Sequence, residues 1–371
     1  MRSIKQIKNL KGQVVLLRVD FNVPLKNGKV EDNFRIIKAL PTIKFLQKRG
    51  AKIILITHLG KGGDTLLPVA KALNKFIKAK FIPEVIGPSV KSAVSKMKNG
   101  EVILLQNLRN NEGEQKCDKI FATELAKLAN IYINECFSVD HREDTSIVLL
   151  PKILPAYAGF QLEEEVENLS HAFKNPKHPF LFILGGAKFS TKMPLIKKYL
   201  KLADYVFIGG ALADDFLKAK GYEVGESLVD NTNYGITGII KNKKLILPED
   251  VVVRSGGKLV NRKVDEVKKG EIILDVGIET IKKIELLIKK SKLILWNGPL
   301  GKYEDGGATG TKKILKFIAN GKAESIIGGG DTVAIISAMK LENKFSFVST
   351  GGGATLDFLA NGTLPGIKVL G

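Results

Sequence analysis

Residues 326–332 have the sequence IIGGGDT, and they lead into the helix-like run 333–339, VAIISAM. This order predicts a buried strand that enters a helix through a loop without side chains. Such a loop lets backbone N–H groups approach an anion, and the helix N-terminus adds a favourable partial charge. Asp331 lies where a carboxylate could hold the metal of a metal–nucleotide complex. Turns also use glycine freely, so this loop alone leaves a structural role equally open.

A second glycine run, residues 351–353, follows the short apolar stretch 345–348. It also precedes a helix-like segment, residues 354–359. Two glycine-rich helix entrances close together in sequence predict a site for a polyphosphate or for two phosphorylated ligands.

Short apolar runs recur along the chain, with amphipathic stretches between them. Strands are predicted at residues 14–19, 53–57, 102–105, 131–133, 181–184, 205–208, 245–247, 293–296, 326–327 and 345–348. Helices are predicted at residues 33–48, 66–78, 119–128, 162–173 and 280–290. Wholly apolar strands that alternate with helices indicate an α/β fold, with parallel sheets covered on both faces. Ligands of such sheets bind beyond the carboxyl ends of the strands.

The composition is that of a globular protein. The chain has 371 residues, of which 44% are hydrophobic, and this length suggests roughly two domains of about 150 residues each. Two cysteines, Cys117 and Cys136, and four histidines favour neither a disulfide scaffold nor a zinc site. No apolar run reaches the roughly 20 residues that span a membrane, and residues 1–11 lack the apolar core of a signal peptide. We expect a reduced, cytoplasmic protein without a membrane partner.

The chain is strongly basic. Its 58 basic and 38 acidic residues leave a net charge of +20, which fits nucleic-acid binding, anionic substrates or a lysine-rich proteome. Most lysines are scattered over helix-like segments, which is typical of a solvated face. A non-catalytic nucleic-acid-binding protein is one alternative, although the chain has no zinc finger, RRM-type motif or dense basic arm. A nicotinamide-dependent dehydrogenase is another, although no Gly-x-Gly-x-x-Gly follows the first predicted strand.

The polar groups at the strand ends differ between the two halves of the chain. The first half supplies Arg, His and Asn side chains, which suit a small phosphorylated acid: Asp20, Asn22, His58, Asn107, Arg109 and Asn134. The second half supplies glycines, lysines and an acid, which suit a nucleotide–metal complex. The two halves meet near residues 151–155 and the charged helix 161–173, a plausible hinge between proline-containing turns.

Several segments together carry a family resemblance. They are RVDFNVP (18–24), HLG (58–60), NLR (107–109), HR (141–142), GGAK (185–188), WNGP (296–299), GGGDT (328–332) and STGGG (349–353). In this order and spacing the chain resembles phosphoglycerate kinase over nearly its whole length. The resemblance implies two Rossmann-like lobes joined by a hinge helix. Residues 1–159 would bind 3-phosphoglycerate, 160–174 form the hinge, 175–350 bind the nucleotide, and 351–371 return towards the first lobe.

The resemblance also implies a reaction. A phosphoryl group would pass reversibly between 1,3-bisphosphoglycerate and ADP, giving 3-phosphoglycerate and ATP, by in-line transfer across a closing interdomain cleft. The protein would be a magnesium-dependent, monomeric glycolytic enzyme. The acceptor carboxylate is already deprotonated, so this chemistry needs no general base. It needs alignment of two anions and neutralisation of charge on the transferring group.

Site residues carry over from the family position by position. Substrate binding is expected from Asp20, Asn22, Arg35, His58, Arg109 and Arg142. Nucleotide binding is expected from Gly186, Lys188, Lys192, Gly210, Asn297, Pro299, Glu304, Gly328, Gly329, Gly330, Asp331 and Thr332. The catalytic positions are Arg35, Lys192, Gly329 and Gly352, and Asp331 is the magnesium-linked carboxylate. Taken singly, Arg35 and the two lysines could be solvated side chains, and His58 could be a core or capping histidine.

The chain departs from the family pattern at five positions. Lys61-Gly62 replaces the usual Arg-Pro, and lysine lacks the bidentate fork of arginine. Ala211 replaces a third glycine, Lys302 an apolar residue near adenine, and Gln106 a glutamate. Residues 226–290 match least well, so their strands are not assigned from the resemblance.

Overall fold

The computed structural model describes residues 1–230, 232 and 235–371. This part of the chain divides into two compact units, Met1–Glu167 with Thr363–Gly371, and Asn168–Gly362. Among the residues that the structure describes, no helix has the length and apolar composition needed to cross a membrane.

The first unit contains eight strands and most of its helices come between them. The strands are β1 (Val14–Val19), β2 (Leu25–Lys26), β3 (Lys29–Val30), β4 (Lys52–Ile56), β5 (Lys80–Phe81), β6 (Val102–Leu104), β7 (Ile131–Glu135) and β8 (Ala156–Ala158). The helices are α1 (Phe34–Lys48), α2 (Leu67–Leu73), α3 (Pro88–Ser95), α4 (Lys119–Ala126), α5 (Thr145–Val148), α6 (Leu150–Ile153) and α7 (Phe160–His171), whose last turn belongs to the second unit.

A parallel six-stranded sheet in the order β5-β6-β4-β1-β7-β8 organises the first unit. Val15 and Leu17 of the central strand β1 belong to one core cluster. Successive residues of a strand point to opposite faces, so Leu16 lies on the other face of the sheet, and it is also fully buried. Both faces of the sheet are therefore covered, as the apolar runs predict.

Among its described residues, the second unit has nine strands and six α-helices of its own. The strands are β9 (Phe180–Leu184), β10 (Tyr205–Ile208), β11 (Leu245–Ile246), β12 (Asp250–Ser255), β13 (Lys258–Lys263), β14 (Ile272–Val276), β15 (Leu293–Asn297), β16 (Glu324–Gly328) and β17 (Phe347–Val348). The helices are α8 (Phe189–Leu202), α9 (Ala211–Ala219), α10 (Ile278–Lys290), α11 (Thr309–Ala319), α12 (Gly330–Ala338) and α13 (Gly353–Asn361). The chain ends with α14 (Pro365–Lys368), which belongs to the first unit.

A second parallel six-stranded sheet, in the order β11-β10-β9-β15-β16-β17, forms the centre of this unit. Trp296 of β15 is fully buried in its core. On the opposite face, the ring of Phe182 stacks on Tyr199 with 4.3 Å between centroids. The predicted α/β fold with parallel sheets is confirmed in both units.

A smaller antiparallel sheet, in the order β13-β12-β14, was not assigned from the sequence. Strand β13 has the sequence KLVNRK and is largely exposed, so it lacks the apolar run that marks a buried strand. The helix predicted at 66–78 is shorter, Leu67–Leu73. The reason is Asn74, whose side chain bonds the backbone of Ala70 and Ala79 and closes the helix end.

Candidate functional site

Asp20 lies at the carboxyl end of β1, the central strand of the first sheet. Its carboxylate accepts hydrogen bonds from the guanidinium of Arg35 and the hydroxyl of Ser138. The backbone N–H of Asn22 donates a third bond at 3.0 Å. Burial alone would raise the pKa of Asp20, but the positive charge of Arg35 and these donors lower it overall. The sheet thus holds an ionised acid beside an arginine at its edge.

The loop after β4 is held by two asparagines from neighbouring strand ends. Asn22 accepts a bond from the N–H of Gly60 at 3.0 Å, and Asn107 accepts one from Leu59 at 3.1 Å. Gly62 has φ +119°, and a Cβ there would lie 2.8 Å from the carbonyl oxygen of Arg109. The close approach of this loop to Arg109 therefore requires glycine at position 62. Lys61 is an exposed residue of the same loop.

His58 is 2% exposed, and its Nδ1 lies 3.2 Å from the Nη2 of Arg18. Burial and then the charge of Arg18 lower the pKa of His58 to about 3, so the ring is neutral near pH 7. A guanidinium can only donate, so Nδ1 accepts and the proton of the ring is on Nε2. The ring can therefore donate from Nε2 to a ligand anion.

Arg18 is fully buried and orients His58 through a hydrogen-bonded network. Its Nε donates to the hydroxyl of Ser146 at 2.9 Å, and this hydroxyl donates to the buried carboxyl of Glu114 at 2.5 Å. A fully buried arginine needs such partners, because an unpaired buried charge is costly. The network supplies the rigid support that a ligand-binding histidine requires.

Arg109 carries donors that face no protein acceptor. Its Nη1 bonds the carbonyl oxygen of Gly60, whereas Nε and Nη2 are buried without a hydrogen-bond partner in the described chain. Oδ2 of Asp144 is 3.9 Å from Nη2. Burial and the charge of exposed Arg142 lower the pKa of Arg109. We call His58, Arg109 and Arg142 the basic cluster, and its unfilled donors suit an anion.

Four glycines, each after a different strand of the second sheet, leave space that side chains would fill. A Cβ at Gly186 would lie 2.4 Å from the Nζ of Lys192, and one at Gly298 would lie 2.5 Å from the carbonyl oxygen of Gly185. A Cβ at Gly210 would meet the N–H of Gly186 at 2.7 Å. Gly329, after β16, has φ +96° and would place a Cβ 3.0 Å from the backbone nitrogen of Gly298. We call these four positions the glycine cradle.

Lys192 occupies the cradle and is only 6% exposed. Its Nζ donates to the carbonyl oxygen of Gly185. Burial lowers the pKa of Lys192 to about 8, an effect that Asp331 opposes and Lys188 adds to. Lys188 itself is exposed and lies just before α8. The two lysines therefore share a charge environment but differ in burial.

Asp331 stands in the first turn of α12, and Thr332 follows it. The Oγ1 of Thr332 and the Nδ2 of Asn297 are buried, and neither has a hydrogen-bond partner among the residues the structure covers. No group of three His, Cys, Asp or Glu side chains in the described ranges could hold a metal ion. The single carboxylate of Asp331 would fit Mg²⁺ if a ligand supplied phosphates, because Mg²⁺ is held by one or two carboxylates together with substrate phosphates.

A cavity of about 440 Å³ adjoins the glycine cradle. Gly186, Gly210, Pro299 and Asp331 border one part of it, and apolar side chains such as Leu274 and Leu300 border the remainder. Ala211, Lys302 and Glu304 also border it. The cavity thus joins anion donors to an apolar wall, as a nucleotide requires. Gly352 does not border this cavity; it has φ +55° and precedes α13.

The phosphoglycerate kinase family model matches residues 4–362. The chain belongs to the phosphoglycerate kinase family. A curated phosphoglycerate kinase of Wolbachia sp. subsp. Drosophila simulans is 42% identical, and the match covers 99% of this chain and 98% of the relative. One of Dictyoglomus turgidum is also 42% identical, over 98% of this chain and 96% of the relative.

Solved structures of the family agree with the fold. Phosphoglycerate kinase from Coxiella burnetii superposes with a TM-score of 0.86 at 35% identity, covering 99% of this chain and 98% of that one. Phosphoglycerate kinase from Pyrococcus horikoshii OT3 superposes with a TM-score of 0.89 at 30% identity, and the match covers 100% of this chain and 98% of that one. Membership in the phosphoglycerate kinase family makes this chain a phosphotransferase with a carboxyl acceptor and a role in glycolysis. The dehydrogenase and the non-catalytic alternatives are therefore rejected.

Four residues in or beside these clusters had no role assigned from sequence. They are Arg18, Ser138, Asp144 and Asp214. Arg18 does carry a signal, because a charged residue in an otherwise apolar strand needs a buried partner. Asp214 borders the cavity, and burial raises its pKa well above its usual value. Ser138 and Asp144 carry no sequence signal, because their partners are distant in the chain.

Proposed function

We propose that this chain transfers a phosphoryl group reversibly between 1,3-bisphosphoglycerate and ADP, giving 3-phosphoglycerate and ATP. The observation that carries the proposal is Lys192, whose buried amino group lies in a cradle built from glycines. A cationic nitrogen surrounded by side-chain-free backbone suits the transferring phosphoryl group.

The first unit supplies the proposed site for 3-phosphoglycerate. Asp20 and Asn22 hold the hydroxyl and carboxylate of the substrate, and the basic cluster holds its phosphate. The Nε2–H of His58 and the unpartnered Nε and Nη2 of Arg109 are the donors expected to meet this phosphate. Arg35, held beside Asp20, stabilises charge on the transferring group.

The second unit supplies the proposed site for the nucleotide. Lys188, Lys192 and the start of α12 hold the phosphates, since helix N-termini and glycine loops favour anions. Gly186, Gly210, Asn297, Pro299 and Gly328–Thr332 shape the pocket, and Glu304 binds the ribose hydroxyls. Gly329 and Gly352 contribute backbone N–H groups to the transferring group. Asp331 would hold Mg²⁺, which neutralises phosphate charge when bound.

The residues of this chain align the two substrates and neutralise the charge of the transferring group, and none acts as a general base. In the direction of ATP use, a carboxylate oxygen of 3-phosphoglycerate forms a bond to the γ-phosphorus. The bond from that phosphorus to the β–γ bridging oxygen breaks, and ADP leaves. Arg35 and Lys192 offset the charge on the transferring group throughout. No proton moves, which agrees with the neutral state of His58.

We further propose that residues 1–159 form the substrate lobe, 160–174 the connecting helix, 175–350 the nucleotide lobe and 351–371 the returning segment. The family role in glycolysis supports a monomer in the cytoplasm that requires neither nucleic acid nor membrane. Size-exclusion chromatography with light scattering tests the monomer, and a single species near 40.5 kDa is the expected result.

The test is an assay of ADP formation from ATP and 3-phosphoglycerate with magnesium present. We expect turnover by the wild type and losses of at least about a hundredfold in Arg35→Ala and Asp331→Ala. Lys44→Ala on the exposed side of α1 and Asp265→Ala at an exposed position of the second unit are the matched controls. A folded wild type without turnover would refute the proposal.

A further inference from the structure

We propose that Asp144 is a built-in counter-anion of the basic cluster and weakens its affinity for the phosphate of the substrate. The inference rests on the proposed function, because it assumes that this phosphate binds at Arg109. It adds a residue that sets how tightly the substrate is held.

The carboxylate of Asp144 lies beside the arginine with unfilled donors. Oδ2 of Asp144 is 3.9 Å from Nη2 of Arg109, and the two side chains are 10% and 6% exposed. Neither atom has a hydrogen-bond partner in the part of the chain that the structure describes. A charge pair this little exposed is screened far less than a surface pair, so the carboxylate acts strongly on anything bound at Arg109.

Asp144 supplies charge rather than orientation. A separation of 3.9 Å is too long for a hydrogen bond, and the guanidinium is held instead by the bond from Nη1 to Gly60. The side chain of Asp144 does not cap α5 either, although its backbone oxygen accepts bonds from Ile147 and Val148. Replacing the carboxylate by an amide of the same shape therefore removes a charge and leaves the local hydrogen bonds in place.

The charge of Asp144 matters because the basic cluster is empty before the substrate binds and holds the substrate phosphate afterwards. Without substrate, the charge of Asp144 partly offsets the repulsion between Arg109 and Arg142, which lowers the pKa of Arg109. With substrate, the phosphate supplies that negative charge, and the carboxylate then repels the ligand. Asp144 thus stabilises the free cluster, opposes binding and favours release of the phosphorylated acid.

The experiment compares Asp144→Asn with Glu143→Gln, which removes a charge from the exposed neighbouring residue. In Asp144→Asn we expect a KM for 3-phosphoglycerate about tenfold lower, and an inhibition constant for inorganic sulfate lowered by a similar factor. The KM for ATP should stay within about twofold. Glu143→Gln should change the KM for 3-phosphoglycerate by less than about twofold, since exposed charges interact weakly. An unchanged or raised KM in Asp144→Asn would overturn the inference.

Arg109→Ala separates this inference from the proposed function. If the substrate phosphate binds at Arg109, this variant raises the KM for 3-phosphoglycerate. A raised KM in Arg109→Ala with no effect of Asp144→Asn would reject the counter-anion alone. An unchanged KM in Arg109→Ala would reject the proposed phosphate site itself. Circular dichroism melts of each variant show whether the fold is retained.

Discussion

The carboxylate of Asp20 accepts a hydrogen bond from the guanidinium of Arg35, so the end of β1 is tied to the first turn of α1. This pair gives the proposed substrate site both a negative and a positive group. It also stabilises the first unit, because the folded state lowers the pKa of Asp20 below its usual value of 3.8.

Asp20→Asn should destabilise the protein by about 1–3 kcal/mol near pH 7. A carboxyl with a lowered folded-state pKa stabilises above its unfolded pKa, and this contribution is lost as pH falls through the folded value. The difference between wild type and variant should therefore shrink below pH about 4. Urea unfolding from pH 7 to pH 3 measures it, and a difference that stays constant would contradict the pairing.

Lys192→Met should raise stability and abolish activity. Burial lowers the pKa of Lys192 to about 8, so the charged form is disfavoured in the folded protein at pH 7. Because the folded state binds fewer protons, wild-type stability should rise relative to the variant between pH about 8 and 10.5. We expect kcat to fall at least about a hundredfold. Denaturant melts at several pH values and the kinase assay test both parts, with exposed Lys201→Met as control.

Gly298→Ala should disrupt the glycine cradle. Its φ of +87° disfavours a side chain, and a Cβ would lie 2.5 Å from the carbonyl oxygen of Gly185. We expect a loss of about 2 kcal/mol or more together with a large drop in kcat. Gly330→Ala is the matched control for stability, since nothing lies within 4 Å of its Cβ. Equal melting temperatures for the two variants would show that the cradle is not tightly packed.

Lys61→Arg should lower the KM for 3-phosphoglycerate several-fold. An arginine offers a phosphate two parallel donors, whereas lysine acts as a point charge. Lys44→Arg at an exposed position of α1 controls for a general effect of arginine. Steady-state kinetics measure the KM of both variants for 3-phosphoglycerate. An unchanged or higher KM in Lys61→Arg would show that position 61 does not contact the substrate.

In the wild type, stability should decline as pH rises, and Glu135→Gln should remove this decline. Burial raises the pKa of Glu135 to about 8, although the hydroxyl of Thr42 and the N–H of Gln161 bond its carboxyl. The folded state therefore holds a proton that the unfolded state loses above pH about 4.5, and stability falls between these values. The glutamine variant keeps an acceptor oxygen and should show a flatter profile. A similar slope in both proteins would contradict the buried neutral acid.

The sequence by itself determined most strands of the two parallel sheets and the position of the glycine loops. Apolar runs such as residues 205–208 coincide with strands because a buried parallel strand is apolar on both faces. The glycine segments lie at strand ends, where the chain must turn without side chains. These signals are local in sequence, so they can be recognised without knowledge of the tertiary structure. The antiparallel strand Lys258–Lys263 was missed because polar and charged residues make up most of its sequence, KLVNRK.

Only the tertiary structure decided the charge states and the partners of the site residues. Lys188 and Lys192 look alike in sequence, yet packing buries only Lys192 and lowers its pKa. Asp144 meets Arg109 because the segments that follow β7 and β6 bring them 3.9 Å apart, although the chain separates them by many residues. Burial and long-range proximity are properties of the folded chain, and electrostatic energies depend on both. The residue types of the site are thus readable from the sequence, whereas their protonation and mutual distances are not.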